Sequence, residues 1–193
     1  MRHSKPPAGL VPEVIEIETQ RLRLRQWRQE DRAPFASLNG DPRVMEFFPS
    51  TLTAAQSDAM ADRCEALIAE RGWGFWAVEA TATNRFIGFV GLHIPSAELP
   101  CSPCVEVGWR LAREFWGRGL ATEAAAAAVS TGFHRLGLPE IVAFTPLQNV
   151  RSRAVMKRLC MLESGAFDHP HVPENSGVRR HCLCRLPAAV RDA

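Results

Sequence analysis

The chain has 193 residues, 46% hydrophobic and 23% charged, a composition that fits a globular fold and excludes a disordered chain. Lys and Arg number 23 against 21 Asp and Glu, a net charge of +2, which argues against a nucleic-acid protein relying on bulk charge. No apolar run reaches the roughly 18 residues of a membrane span, and the start, MRHSKPPAGL, has no apolar stretch of a secretory signal. The expectation is a cytoplasmic protein with no membrane and no nucleic-acid partner.

Residues 1–13, with Pro6, Pro7, Gly9 and Pro12, read as a flexible arm, 14–187 as a single domain and 188–193 as a short tail. Residues 15–25 alternate apolar and polar with period two, which predicts one strand. Residues 29–39 carry Phe35 and Leu38 at helical spacing. Residues 53–71 put Met60, Cys64, Leu67 and Ile68 on one helix face, and Gly72 stops that helix. Strands are predicted at 75–79 and 85–93, joined by a turn at 82–84. A proline-rich connection, 95–103, leads to a strand at 105–111. The alanine-rich run after Gly119 predicts a helix, ended by Gly137 and Pro139. Residues 141–145 form a short strand, and 149–159 a helix with Val150, Ala154 and Met156 or Leu159 facing inward. Residues 179–186 alternate again and close a sheet. The order is β-α-α-β-β-β-α-β-α-β-β, an α+β fold with a mixed sheet.

The six cysteines are read as reduced, because no secretory signal is visible. Cys101 and Cys104 have CxxC spacing, and Cys182 and Cys184 would complete a zinc set of four thiolates. Burial on one strand face accounts for Cys182 and Cys184 equally well. Reduced cysteines and no metal are the expectation; a zinc-stapled interaction protein is the competing reading.

The most informative segment runs from Glu106 to Ala124. A strand, Glu106-Val-Gly-Trp-Arg-Leu, enters a loop and helix, Trp116-Gly-Arg-Gly-Leu-Ala-Thr-Glu-Ala. Gly117 and Gly119 have no Cβ, so the backbone there can turn tightly and approach a ligand. The first helical N–H groups, at Leu120, Ala121 and Thr122, lack internal partners and with the helix dipole suit a phosphate or pyrophosphate. Arg113 and Arg118 can add cationic support. A tight loop with no ligand is the plain alternative. GxxxxGK[ST] is absent, and Thr122 stands where GxGxxG needs its third glycine, so neither a P-loop nor a Rossmann dinucleotide site is expected. The next helix begins Asn149-Val-Arg-Ser-Arg-Ala-Val-Met-Lys-Arg-Leu. Asn149 is a natural N-cap, and Asn149, Ser152 and two arginines at a helix start can also bind a long polar cofactor.

These three blocks, in order and at fitting spacing, resemble the GNAT superfamily of N-acetyltransferases over roughly residues 16–186, in the style of the branch of ribosomal-protein N-terminal (Rim-type) acetyltransferases. Phe167-Asp-His-Pro and Arg179-Arg-His-Cys-Leu-Cys-Arg-Leu resemble a subgroup of that branch. The resemblance implies a GNAT-like fold, a central mixed and twisted sheet flanked by helices, and acetyl-CoA as cosubstrate. It implies that the loop from Trp116 through Gly117, Arg118, Gly119 and Leu120 to Ala121 and Thr122 binds the pyrophosphate. Trp116 departs from the Gln or Arg common at the first loop position, but the binding groups are mostly main-chain. It implies that the strand from Gly108 through Trp109, Arg110 and Leu111 pairs with the pantetheine, and that Asn149 lies beside the pantetheine arm.

Acetyl transfer from a thioester requires a neutral amine and a proton for the departing thiolate. An α-amine with pKa near 8 is roughly one-tenth neutral at pH 7, whereas lysine is neutral at about one part in a few thousand, so an α-amine needs less base help. Glu106 is the first candidate base, through water, and His93 the second; a paired surface Glu and a structural His are the plain readings. The chain has no tyrosine, so Ser152 is the candidate acid. Asp168 and His169 are candidates for shaping the acceptor pocket, as are Phe47, Phe48 and Trp73, although all five tryptophans read first as core. The acceptor is a protein N-terminus or a small-molecule amine. A non-catalytic acyl-CoA-binding sensor or scaffold shares the cofactor motifs and is the alternative. The closing strands and the arm would support a homodimer.

Overall fold

The computed structural model describes residues 12–96 and 98–188; most of the expected arm and tail lies outside them. The alternating run at 15–25 is two strands rather than one. β1 (Ile17–Glu18) folds back antiparallel on β2 (Leu22–Arg25). The turn is closed locally, because Thr19 Oγ1 accepts a hydrogen bond from the Leu22 amide at 3.0 Å. It is also gripped from a distance, since Glu123 accepts from Thr19 Oγ1 at 2.7 Å and from the Arg21 amide at 3.0 Å. Side-chain capture by a residue about a hundred positions away overrides the period-two pattern.

A 3₁₀ turn at Gln29–Asp31 enters α1 (Arg32–Gly40), which buries Phe35 and Leu38 as expected. α2 (Ala54–Arg71) starts at a Thr53 capping box with Gln56 and ends at Gly72, whose φ of 80° is the left-handed C-cap. Then follow β3 (Phe75–Ala80), β4 (Arg85–His93) and β5 (Glu106–Leu111). α3 (Leu120–His134), β6 (Glu140–Pro146), α4 (Val150–Arg158), β7 (Leu162–Asp168) and β8 (Arg180–Pro187) complete the chain.

The strands form one sheet of eight in the order β1-β2-β3-β4-β5-β6-β8-β7. All neighbours are antiparallel except β5 and β6, which are parallel. α1 packs on one face, where Phe35 meets Phe89 of β4 edge-on at 5.9 Å. α3 packs on the other, where a Cβ at Gly132 would collide with Ile141 and Leu92. The alternation of Phe89 and Leu92 along β4 separates the two layers.

α4 corrects one expectation. Val150 is 67% exposed, while Val155 and Met156 are buried. At about 100° per residue, Val150 lies about 160° round the helix from Ser152, and it is the Ser152–Val155–Met156 side that meets the sheet. Near the opposite end, Arg25 is 2% exposed and is matched by Asp31 and Glu79, at 2.7 and 2.8 Å.

The four thiols of the zinc reading do not converge. Cys101 packs in a small cluster with Val142, Phe167 and Leu183, with Cys104 against it. Cys182 and Cys184 belong to the main core, on the other side of β8 from Leu183. Among the described residues no three His, Cys, Asp or Glu side chains group as metal ligands. None of the described helices is long and apolar enough to cross a membrane.

Candidate active site

β5 and β6 touch at one register pair, Glu106 with Val142, beside a hydrogen bond that the Val142 amide donates to the Val105 carbonyl at 2.9 Å. Past Glu106 the strands part, and β5 from Val107 to Leu111 has backbone partners on its β4 side only. The gap opens into a cavity of about 860 Å³. Its walls come from the β5 strand, the loop before α3, the start of α4, the α1–α2 connection and the segment after β7.

At one end lie Gly117 and Gly119, with φ of 73° and 77°. Both take the left-handed conformation that glycine adopts without strain, and a Cβ at Gly117 would meet nothing within 4 Å. The first amide of α3 to find a backbone acceptor across this junction is that of Glu123, bonded to the Gly119 carbonyl. Leu120, Ala121 and Thr122 line the cavity, and their amides, without helical acceptors, are groups that can hold an anion. Arg21 braces the loop from behind, donating through Nη1 to the Arg118 carbonyl at 3.0 Å and through Nε to Glu123 at 2.7 Å.

Above the loop, Asn149 caps α4. Its Oδ1 accepts from the Ser152 amide at 3.1 Å and its Nδ2 donates to Thr145 Oγ1 and Ser152 Oγ, both at 3.0 Å. Ser152 Oγ also accepts from Trp109 Nε1 at 3.3 Å. With both lone-pair directions occupied, the Ser152 hydroxyl proton is the one polar element left to point into the cavity. Arg151 closes the mouth: its guanidinium lies over the Trp116 and Phe47 rings, at 4.7 and 5.4 Å, and pairs with Glu46 at 2.6 Å.

On the opposite face of β5, Glu106, Gly108 and Arg110 point the same way. Glu106 lines the cavity, and its carboxyl has no hydrogen-bond or ion-pair partner among the described residues. Burial pushes its carboxyl up to about 8. His93 is its register partner across the β4–β5 ladder, but the His93 ring stacks on Phe75 at 4.9 Å and does not line the cavity. Burial, and then the Arg71 charge, lower its pKa.

All the expected cofactor-binding residues line this cavity except Arg118, whose guanidinium sits over Phe115 at 5.8 Å. Arg113 is also elsewhere. Phe47, Phe48 and His169 line it as expected, while Trp73 packs against the main core and Asp168 pairs with Arg180 at 3.2 Å. Reasoning from the sequence missed His171 and His181, which also line it. His169 and His181 lie 5.0 Å apart. Burial, with neighbouring His181 and His171, lowers His169 to about 4, so it is a neutral imidazole at neutral pH. Only the β7–β8 pairing brings these rings together, and no local signal announces it.

An acetyltransferase (GNAT) domain model matches residues 21–161, which spans the β5 strand, the glycine loop and the Asn149–Ser152 cap. This chain belongs to the GNAT acetyltransferase family. Membership makes it an acetyl-CoA-dependent N-acetyltransferase by class, acting on an amine. It is 34% identical over 149 residues to the FsC-acetyl coenzyme A-N(2)-transacetylase of Aspergillus fumigatus, covering 72% of this chain and 62% of that one. The acetyltransferase thus spans less than two-thirds of that relative's length. The fold matches a GNAT-family acetyltransferase from Bacillus anthracis with a TM-score of 0.76, at 21% identity and over 91% of this chain and 99% of that one. It also matches RimL, a ribosomal L7/L12 alpha-N-protein acetyltransferase solved with coenzyme A, with a TM-score of 0.71, at 15% identity and over 90% and 98% of the two chains.

Proposed function

We propose that this acetyltransferase moves the acetyl group of acetyl-CoA onto a primary amine by direct attack in a ternary complex. The observation that carries the reading is the open β5 edge beyond Glu106, which leads to the free amides at the start of α3 within one cavity. That cavity suits acetyl-CoA: an unpaired strand edge fits an amide-bearing arm, and glycines with no Cβ fit a pyrophosphate.

When bound, acetyl-CoA supplies the activated acyl group as a thioester. The amides of Leu120, Ala121 and Thr122 hold the pyrophosphate, with Trp116, Gly117 and Gly119 shaping the loop. The backbone from Gly108 to Leu111, including Trp109 and Arg110, and the Asn149 side chain align the pantetheine arm. Ser152, fixed by Asn149 and Trp109, holds the proton needed by the departing sulfur. Glu106 takes the proton of the incoming ammonium through water. A base with pKa of about 8 matches an α-amine, itself near 8, so little driving force is lost in the transfer. His93, directed onto Phe75, acts as packing beside Glu106. The acceptor is an α-amine of a protein N-terminus or of a small molecule.

The test is thiol release from acetyl-CoA with a panel of primary amines, with acetylated products identified by mass. Time-dependent acetylation of at least one amine, reduced 100-fold or more in Glu106→Gln, is the expected result. Saturable acetyl-CoA binding with no amine acetylated across the panel would overturn the catalytic reading.

A further inference from the structure

Two buried arginines in this protein are treated in opposite ways. Arg25 is enclosed by two carboxylates. Arg110 is 9% exposed, points to the acceptor side of β5, and has no carboxylate within ion-pair distance among the described residues. Its Nη1 donates to Asn39 Oδ1 at 2.6 Å. Asn39 is held in turn by its Nδ2 bond to Ser57 Oγ at 2.9 Å, so the oxygen is locked toward the guanidinium. Among the described residues the buried Nε has no hydrogen-bond partner, and Nη2 makes no hydrogen bond. Nε and Nη2 form the edge of a guanidinium that takes a carboxylate through two parallel hydrogen bonds.

The surroundings are otherwise apolar. The guanidinium lies over the Phe48 ring at 4.1 Å and near Phe89 at 5.3 Å, with Met60 Sδ at 3.9 Å from Nη1. Burial lowers its pKa to about 10, with Cys64 the one group that opposes this. A buried charge is unfavourable unless it is paired, and one neutral amide oxygen is a thin complement for a guanidinium. The residue lines the same cavity as Glu106. The two share a face of β5 four positions apart, about 13 Å between Cα atoms at 3.3 Å per residue. Phe48, 38% exposed and on the α1–α2 connection, is the ring that covers the guanidinium.

We infer that Arg110 is the specificity residue of the acceptor site and that it binds the carboxylate of a small amine bearing its own acid group, such as an amino acid or short peptide. The amine end is directed toward Glu106 and the carboxylate docks on the Nε–Nη2 edge, with Phe48 closing over it. This inference rests on the acetyl-transfer reading for the identity of the amine, but the carboxylate subsite can be read by binding alone.

The experiment uses matched probes, the common L-amino acids and their dipeptides as free acids and as C-terminal amides. Turnover is followed by thiol release. Binding is followed by titrating N-acetyl-amino acids and their amides into the CoA-loaded protein, using tryptophan fluorescence. The expected result is at least one pair in which the acid exceeds the amide 10-fold or more in kcat/KM, and in which the N-acetyl acid binds correspondingly tighter. In Arg110→Gln and in Arg110→Met, which suits the apolar bed, the ratio falls toward one. Amides that equal acids throughout the wild-type panel would overturn the inference, with no variant required, as would a preference retained in a folded Arg110 variant. Acid-selective binding without turnover would keep the subsite and remove the acetyl-transfer reading; turnover without acid preference would do the reverse.

Discussion

Replacing Glu106 by Gln separates stability from catalysis in a way that pH exposes. Burial raises this carboxyl from 4.5 to about 8, so the folded state holds a proton that the unfolded state releases. Below about pH 4.5 both states are protonated and the residue is neutral to stability. Between about 4.5 and 8 the unfolded chain ionises first, so the residue works increasingly against folding; above 8 the penalty is complete. At about 1.4 kcal/mol per pKa unit the ceiling is about 5 kcal/mol. The carboxyl is half-buried at the edge of an open cleft, where solvent screens it, and a gain of about 1–3 kcal/mol is expected. Gln cannot ionise, so Glu106→Gln matches wild type in thermal midpoint at pH 4 and exceeds it by about 3–10 °C at pH 9, at the roughly 2–4 °C per kcal/mol of a chain this size. Differential scanning fluorimetry of the protein without ligand, at half-unit pH steps, measures it. A gap that does not grow with pH, or a variant less stable than wild type at pH 9, would refute the buried, unpartnered carboxyl. Because the same group is the proposed base, kcat/KM toward a low-pKa amine should rise with an inflection near pH 8 and level off above about pH 9.

Three further outcomes follow from the geometry. Ser152→Ala removes the hydroxyl that Asn149 and Trp109 orient; kcat is expected to fall about 10- to 100-fold with acetyl-CoA affinity within about two-fold, and an unchanged kcat in steady-state assays would remove Ser152 as the acid. Arg25→Met strands Asp31 as a buried carboxylate and leaves Glu79 only its half-exposed partners Arg28 and Arg23, at 3.3 and 3.9 Å, and is expected to lower stability by about 3–5 kcal/mol, read as the urea midpoint. Gly88→Ala would put a Cβ 2.1 Å from the Arg110 carbonyl at a φ of 142°, so the variant is expected in the insoluble fraction or with a strongly lowered melting midpoint.

The parts of the site that were legible in the sequence are those carried by one continuous segment. The β5–loop–α3 unit keeps its glycines, its amides and Glu106 within a short stretch, so spacing alone locates them. Asn149 and Ser152 are likewise tied by a local cap. What could not be read depends on distant partners. The hairpin at 17–25 requires Glu123 to capture Thr19 and Arg21. Val150 looks like a core residue until the inward side of α4 is set by Ser152 and Met156. His169 and His181 meet only through strand pairing, and Arg110, two residues from Gly108 in a regular strand, gives no hint that its head group lacks a carboxylate.

Every role proposed for this site depends on acetyl-CoA binding in the gap beside β5 and at the amides of α3. Isothermal titration of acetyl-CoA into wild type and Gly119→Glu tests this, because the glutamate combines a side chain at a φ of 77° with a negative charge at the proposed pyrophosphate site. Saturable one-to-one binding to wild type and none to the folded variant is the expected result. No binding to folded wild type at millimolar acetyl-CoA, or equal binding to both proteins, would contradict it.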